Sequence, residues 1–300
     1  MDAAPLHDDV ADAPAGGRAF WMVASDGFRL RGALWEGGEA GTVVILPGRT
    51  EFIEKYGRVI GRLRDRGFAV AAIDWRGQGL SQRREATPHL GHVDRFLHYQ
   101  RDLDALLAHP DVAASPGPRR MLAHSMGACI GYRRLAERGD FASAVFTAPM
   151  FRLHLQAVAR QTTAGARSLA ARLRGGAALA DGFAMNALTS DRSAYDWCAA
   201  QVAAHPELGL GAPSLVWVRE ALLEMERLRA APPPATPILT LLGSDETVVS
   251  PKAIRHMMAR LPQGRLVEFP GARHEILVES PAAQAWAWAQ IDGFHAAHPG

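Results

Sequence analysis

The feature that most constrains this chain is an alternation of short apolar runs with amphipathic stretches. The run Thr-Val-Val-Ile-Leu at 42–46 is rich in β-branched residues, as is typical of a strand buried on both faces. Residues 52–66 then carry apolar side chains at helical spacing and end before Gly67, a residue type that commonly follows a helix. Helical stretches alternate with further predicted strands at 68–73, 120–123 and 142–147. Strands joined by helices form right-handed crossovers, so the pattern predicts an α/β fold with a mostly parallel sheet flanked by helices.

The alternation stops between residues 150 and 234 and then resumes. This interval is rich in Ala, Arg and Leu, has no buried-strand pattern and ends in a stiff run of prolines. We therefore expect a helical cap inserted at 150–234 into a sheet domain formed by residues 19–149 and 235–300.

Composition excludes several classes of function. The net charge of +2 over 300 residues is too small to indicate nucleic-acid binding. Cys129 and Cys198 lack metal-ligand spacing and imply no disulfide framework. Residues 1–18 lack the pattern of a secretory signal, and we expect a disordered tail there. No apolar run is long enough to span a bilayer, so the default prediction is a soluble cytoplasmic protein, with the oligomeric state left open.

The strongest chemical motif is Ala123-His124-Ser125-Met126-Gly127, between a predicted strand and a predicted helix. It matches the pattern G-x-S-x-G except that alanine replaces the first glycine. In that pattern the serine occupies a strained turn and presents its hydroxyl as a nucleophile. Small residues on both sides are needed because the strand and the helix nearly touch. The alternative is an ordinary loop serine.

Two further polar residues follow predicted strands. Asp245 comes after the strand ending at Leu242, and His274 comes after the strand ending at Phe269. The carboxyl ends of parallel strands share one edge of a sheet, so Ser125, Asp245 and His274 are predicted to meet there, in the chain order serine, acid, histidine. His274 would act as the base, and Asp245 would orient its imidazole.

Other interpretations of these two residues stay open. Glu246 is the competing acid, and Asp245 is preferred because of its place in Gly-Ser-Asp-x-x-Val. Taken singly, an aspartate after a strand is more often a helix cap or a turn former. A lone histidine in a loop is more often simply exposed.

The backbone N–H groups of Met126 and Arg49 are the candidate oxyanion hole. Met126 begins the helix after Ser125, and Arg49 lies in the loop after the 42–46 strand. Gly48 and His124 border the site and are candidate substrate-binding residues, although packing or hydrogen bonding is the favoured role of His124. No histidine pair has the H-E-x-x-H spacing, and the dinucleotide fingerprint lacks its third glycine, so neither a metal nor a cofactor is expected.

Several segments together resemble the lysophospholipase and monoacylglycerol lipase branch of the α/β-hydrolases, close to bacterial lysophospholipase L2-type proteins. These segments are 47–56, 74–81, 91–94, 123–127 and 271–275. The resemblance implies the triad Ser125, Asp245 and His274, the donors Arg49 and Met126, and a helical cap over the site. Pro47-Gly48 stands where related lipases commonly carry His-Gly.

These observations predict a serine hydrolase that cleaves carboxylic esters through an acyl-enzyme. By resemblance, its substrates would be lysophospholipids or monoacylglycerols. The alternatives are a small-peptide aminopeptidase with the same triad and a non-catalytic ligand receptor on a hydrolase fold. An acidic pair in the cap, drawn from Asp191, Asp196, Glu220 and Glu224, would favour the peptidase. Arginines in the cap could meet a phosphate head group, although such arginines more often form a solvated helix face; they are Arg152, Arg160, Arg167, Arg172 and Arg174. Peripheral membrane contact through the cap is left open.

Overall fold

The computed structural model describes residues 2–154 and 182–299, and these residues form one eight-stranded sheet. The strands are β1 (Gly17–Val23), β2 (Arg29–Trp35), β3 (Thr42–Leu46), β4 (Ala69–Asp74), β5 (Arg119–His124), β6 (Ser143–Thr147), β7 (Ile238–Gly243) and β8 (Gly264–Phe269). Their order across the sheet is β1-β2-β4-β3-β5-β6-β7-β8. Strand β2 is antiparallel to both β1 and β4, and the other neighbours are parallel. The predicted α/β fold with a mostly parallel sheet is confirmed.

Helices flank this sheet and cap one of its edges. They are α1 (Asp8–Ala11), α2 (Gly57–Arg64), α3 (His98–Ala108), α4 (Pro110–Ala113), α5 (Met126–Glu137), α6 (Gly182–Met185), α7 (Arg192–Ala204), α8 (Leu215–Ala230), α9 (Pro251–Met258) and α10 (Pro281–Ala297), with 3₁₀ turns at Ile53–Tyr56, Pro206–Leu208 and Ile276–Val278. Several begin as their sequence predicts. Ser250, for example, accepts a hydrogen bond from the Ala253 N–H and precedes a proline at the first position of α9.

The sheet separates two apolar layers, which explains why the β3 run is almost entirely apolar. Val44 and Leu46 pack into the layer that contains α3 and α5. Val43 and Ile45 point the other way, into the layer that contains α2 and α10. Because successive side chains of a strand alternate between faces, a strand covered on both sides is apolar except where a buried polar group has a partner, as the Thr42 hydroxyl has in the Pro116 carbonyl.

The described part of the predicted cap consists of residues 150–154 and 182–234. It contains α6, α7 and α8, and the remainder of the predicted insertion, residues 155–181, lies outside the described residues. A bridge between Gly91 and Pro213 joins the start of α8 to the sheet domain. In the ranges 2–154 and 182–299, we find no helix that combines the length and the apolar character needed to cross a bilayer.

The N-terminal segment is not the disordered tail that the sequence suggested. Within residues 2–18, the carbonyl oxygen of Pro5 accepts a hydrogen bond from the Arg31 guanidinium at 3.0 Å. The carbonyl of Pro14 accepts one from the Trp35 indole N–H, also at 3.0 Å. These are buried donors of β2 that need acceptors. The segment supplies them, and the prediction of disorder is therefore wrong for these residues.

Candidate active site

Ser125 occupies a strained turn between β5 and α5. Its backbone has φ 49° and ψ −110°, a conformation that residues other than glycine rarely adopt. Its N–H donates to the Thr147 carbonyl at 3.0 Å, which holds the turn against β6. A Cβ atom at Gly127 would lie 2.0 Å from the Leu46 carbonyl oxygen, so only glycine fits there. The turn thus requires the small residue that the motif places two positions after the serine.

His274 lies in the loop after β8 and contacts this serine directly. Its Nε2 atom is 3.0 Å from the Ser125 hydroxyl oxygen. Its Nδ1 atom is 2.6 Å from a carboxylate oxygen of Glu246. An ionised carboxylate can only accept hydrogen bonds, so Nδ1 carries the proton and donates a hydrogen bond to Glu246. In this tautomer Nε2 is an acceptor for the Ser125 hydroxyl, which is the arrangement a general base requires.

The acid that reaches His274 is Glu246 and not the predicted Asp245. The second carboxylate oxygen of Glu246 accepts the N–H groups of Val248 at 2.5 Å and Val249 at 3.0 Å, and the side chain is fully buried. Asp245 is exposed and accepts a hydrogen bond from the Ser244 hydroxyl at 2.9 Å. The loop after β7 turns Asp245 outward and brings the next side chain back inward. The prediction that Asp245 pairs with His274 is therefore wrong.

Glu246 and His274 each stabilise the charged form of the other. Burial raises the pKa of the Glu246 carboxyl, but the charge and hydrogen bond of His274 and the two N–H donors outweigh it and leave the pKa below its usual value. Burial lowers the pKa of His274, but the charge and hydrogen bond of Glu246, together with the smaller effects of Glu275 and Glu51, outweigh burial, so the net pKa is above that of a free histidine. The buried imidazole is thus a stronger base than usual.

The two candidate oxyanion donors lie at the ends of fixed segments. Met126 is the first residue of α5, where helix N–H groups have no acceptor within the helix. Arg49 follows Pro47 and Gly48, whose carbonyls accept from the Trp75 indole at 2.8 Å and the Gln78 amide at 3.0 Å. These bonds hold the loop after β3 in place, as a preorganised oxyanion hole needs.

A buried polar cluster lies beside this loop. Glu51 accepts hydrogen bonds from the Gly48 N–H, from the Tyr56 hydroxyl at 2.6 Å and from the Lys55 ammonium at 2.9 Å. Lys55 also contacts Glu275, the neighbour of His274, at 2.6 Å. The cluster therefore links the loop of Arg49 to the loop of His274. The Gly48 N–H already has an acceptor in Glu51, so the contact between Gly48 and substrate stays a prediction.

His124 lies between this cluster and the base. Its Nδ1 atom is 2.8 Å from the Thr147 hydroxyl, and its ring centre is 4.7 Å from that of His274. Burial lowers its pKa, so it packs as a neutral ring. These contacts match the packing role favoured for it. The contact between His124 and substrate stays a prediction.

One group of residues in this cluster has the geometry of a metal site. Glu51, His124 and Glu275 offer ligand atoms within 4.8 Å of one another. The ammonium of Lys55 already binds both carboxylates, so the cation of this cluster is a lysine.

The acids that would have held the amine of a peptide substrate have protein partners. Asp191 caps α7, Asp196 pairs with Arg192, Glu220 accepts from the Phe96 N–H, and Glu224 pairs with Arg133 and Arg227. A carboxylate that is already paired gains less from binding an ammonium group. The described part of the cap therefore gives the peptidase alternative little support.

Several known proteins resemble this chain over most of its length. Residues 38–281 match the family model described as "Serine aminopeptidase, S33". Lysophospholipase L2 of Escherichia coli K12 is 38% identical over 277 residues, which cover 85% of this chain and 80% of that protein. A probable lysophospholipase L2 of Haemophilus influenzae is 28% identical over 79% of this chain and 78% of its own length. The structure of a monoglyceride lipase from Saccharomyces cerevisiae superposes with a TM-score of 0.74 at 19% identity, over 96% of this chain and 98% of the other.

Proposed function

The chain belongs to the α/β-hydrolase family described as serine aminopeptidase S33 and is a serine ester hydrolase, and from this premise we propose that Ser125, His274 and Glu246 cleave the acyl ester of lysophospholipids or monoacylglycerols. The observation that carries the proposal is the chain of contacts from Ser125 Oγ to His274 Nε2, 3.0 Å, and from His274 Nδ1 to Glu246, 2.6 Å. A nucleophile, a base and an orienting acid are the three parts of such a site.

Each residue has a defined task in the reaction. His274 Nε2 takes the proton of the Ser125 hydroxyl as Oγ attacks the ester carbonyl carbon, and Glu246 stabilises the imidazolium that forms. The N–H groups of Arg49 and Met126 donate to the oxyanion of the tetrahedral intermediate. When the carbon–oxygen bond of the ester breaks, His274 returns the proton to the leaving alcohol, and Ser125 keeps the acyl group. Water, activated by His274, then releases the fatty acid and restores the serine.

The substrate class is supported by the relatives and by the cap. The named relatives are lysophospholipases, and the superposed structure is a monoglyceride lipase. Both classes of substrate combine one acyl chain with a glycerol head. The buried side of helix α8 is mostly apolar: Trp217, Ala221, Met225 and Leu228 pack against the sheet domain, beside the Glu224 that pairs with Arg133. The cytoplasmic location stays a prediction of the sequence, and peripheral membrane contact and the oligomeric state stay open.

Ester hydrolysis by wild type and by Ser125→Ala tests the proposal. Losing the nucleophile is expected to lower kcat by roughly three orders of magnitude or more on lysophosphatidylcholine and on a monoacylglycerol of the same chain length. The matched control is Ser115→Ala. Ser115 donates to the Asp111 carbonyl and precedes β5, whereas Ser125 follows the other end of that strand, so this variant should hydrolyse both lipids at the wild-type rate.

Two outcomes would contradict the proposal. One is a Ser125→Ala enzyme as active as wild type, which would exclude the serine mechanism. The other is a wild type that hydrolyses aminoacyl amides but neither lipid, which would favour the peptidase.

A further inference from the structure

The side chain of Arg49 reaches from the oxyanion loop to the cap. One of its terminal nitrogens donates to the Gly211 carbonyl, and its guanidinium carbon lies 5.4 Å from the centre of the Trp217 ring. Its Nε atom is buried and has no hydrogen-bond partner in the structure. The residue as a whole is partly exposed. The guanidinium thus lies between the oxyanion loop and the cap residues Gly211 and Trp217, with a donor unused.

Arg49 also differs from the other buried arginines in its charge partners. Arg31, Arg76, Arg133 and Arg134 each pair with at least one carboxylate. Within residues 2–154 and 182–299, no carboxylate forms an ion pair with Arg49. The stretch 155–181, which the structure does not describe, contains only one acid, Asp181. Arg49 is therefore a cation beside the proposed site without a compensating charge among the described residues.

Arg49 is not alone among the described arginines in lacking a carboxylate, but the surroundings of Arg83 and Arg120, which lack one too, differ. Arg83 and Arg120 each donate to several backbone carbonyls, whereas Arg49 donates to the single carbonyl of Gly211 among the described residues. Burial lowers the pKa of Arg49 to about 10, against a small opposing effect of the Tyr99 phenol. The group remains protonated at neutral pH. A buried cation with few partners gains free energy when an anion binds it.

We propose that the guanidinium of Arg49 binds the phosphodiester of a lysophospholipid head group. The inference rests on the proposed function, because it assigns one end of the substrate whose ester lies at Ser125. Arg49 supplies the candidate oxyanion N–H from the same residue. About as many bonds separate that nitrogen from the guanidinium carbon as separate the ester carbonyl carbon of a lysophospholipid from its phosphorus. With the ester oxygen at the N–H, the phosphate is therefore within reach of the guanidinium.

The chemistry of the two groups fits. A guanidinium presents Nε–H and Nη–H as a fork that donates two parallel hydrogen bonds to two phosphate oxygens. The unused Nε–H of Arg49 is one of these donors. A monoacylglycerol has no phosphate and leaves this fork empty, so Arg49 would favour phosphate-bearing substrates over neutral ones.

The test compares kcat/KM for lysophosphatidylcholine and for a monoacylglycerol with the same short acyl chain, both below their micelle concentrations. Arg49→Met retains the backbone N–H and removes only the cation. In Arg49→Met we expect the ratio of kcat/KM for lysophosphatidylcholine to kcat/KM for the monoacylglycerol to fall about 10- to 100-fold, the effect of losing a charge-assisted pair of hydrogen bonds. A loss of activity common to both substrates cancels in this ratio. Arg49→Lys should keep part of the ratio, since an ammonium binds phosphate without the fork.

The matched control is Arg219→Met. Arg219 is an exposed arginine of α8, with its side chain 73% exposed, so its loss changes the charge of the cap to the same extent. The ratio of the two kcat/KM values should be the same in Arg219→Met as in wild type. As a second readout, glycerophosphocholine should inhibit monoacylglycerol hydrolysis competitively in wild type and at least tenfold more weakly in Arg49→Met.

Failure of this inference can be told apart from failure of the proposed function. If wild type hydrolyses the lipids and Arg49→Met leaves the ratio unchanged, Arg49 merely ties the loop to the cap and the phosphate assignment is overturned. If wild type hydrolyses neither lipid, the proposed function fails and the assignment with it.

Discussion

Two buried arginines of this molecule have opposite surroundings. Arg31 in β2 is fully buried and contacts Asp74 and Glu54, each at 2.7 Å. Asp74 in turn accepts the N–H groups of Ile53 at 2.9 Å and Leu80 at 2.8 Å. We call Arg31, Glu54 and Asp74 the Arg31 cluster. Every charge in it has a partner within the protein.

In the region of Ser125, His274 and Arg49, by contrast, not every polar group has a partner among the described residues. The Ser125 hydroxyl has His274 Nε2 as its partner at 3.0 Å, and Arg49 retains a buried Nε donor without an acceptor among the described residues. An unpaired buried polar group costs free energy, and this cost is recovered when a ligand supplies the partner. The comparison suggests that closed charge clusters in this chain contribute to stability, whereas open ones act on substrate.

The largest expected effect concerns the adjacent acids Glu246 and Asp245. Glu246→Gln keeps the volume of the side chain but removes the negative charge that orients and stabilises protonated His274. By analogy with the loss of the triad acid in serine proteases, kcat is expected to fall about 10⁴-fold. Asp245→Asn is the control, since this exposed side chain contacts only the Ser244 hydroxyl, and its kcat should stay within about twofold of wild type. Steady-state ester hydrolysis measures both. A large loss in Asp245→Asn with little loss in Glu246→Gln would reverse the assignment of the acid.

The second prediction sets Arg31→Met against Arg49→Met in stability. Removing Arg31 leaves two buried carboxylates without their cation, which is expected to lower the free energy of unfolding by about 3–5 kcal/mol. Removing Arg49 leaves no carboxylate unpaired among the described residues, so the loss should stay below about 1 kcal/mol. Urea denaturation at neutral pH measures the two values. Equal losses would mean that Arg49 contributes as much to stability through its protein partners as Arg31 does.

Much of this architecture follows from local patterns in the sequence. The apolar runs predicted the parallel strands because a strand covered on both faces has few positions for a polar side chain. Ser125 was found because the elbow requires small neighbours, and Gly127 has no space for a Cβ atom. His274 was found because it follows a strand that ends at the same edge of the sheet. In each case one local constraint leaves few residue types possible.

The errors occurred where partners come from distant parts of the chain. Asp245 and Glu246 are adjacent, and their order says nothing about which one the loop turns inward. The two N–H donors at Val248 and Val249 favour a carboxylate at 246, but they become visible only in the folded loop. Residues 2–18 looked disordered from composition alone. These residues are held in place because their carbonyls accept hydrogen bonds from the buried donors of Arg31 and Trp35. Amino-acid composition does not reveal such long-range hydrogen bonds.

The smallest expected effect tests how the neighbouring carboxylates influence the base. His274 must be neutral to accept the serine proton, so kcat/KM falls as the pH drops through its pKa. Glu246 raises that pKa most, and Glu275 and Glu51 raise it further. Glu275→Gln removes one of these negative charges, so the pKa of His274 should fall and the acidic limb of the pH profile should move to lower pH, by about one unit at most.

The control for this shift is Glu268→Gln. Glu268 pairs with Arg255 on the surface, so its acidic limb should coincide with that of wild type. A movement of the Glu275→Gln limb to higher pH would indicate that freeing Lys55 from one carboxylate has reorganised the cluster around it. The charges of this cluster would then rearrange easily, although each of them has a partner in the structure.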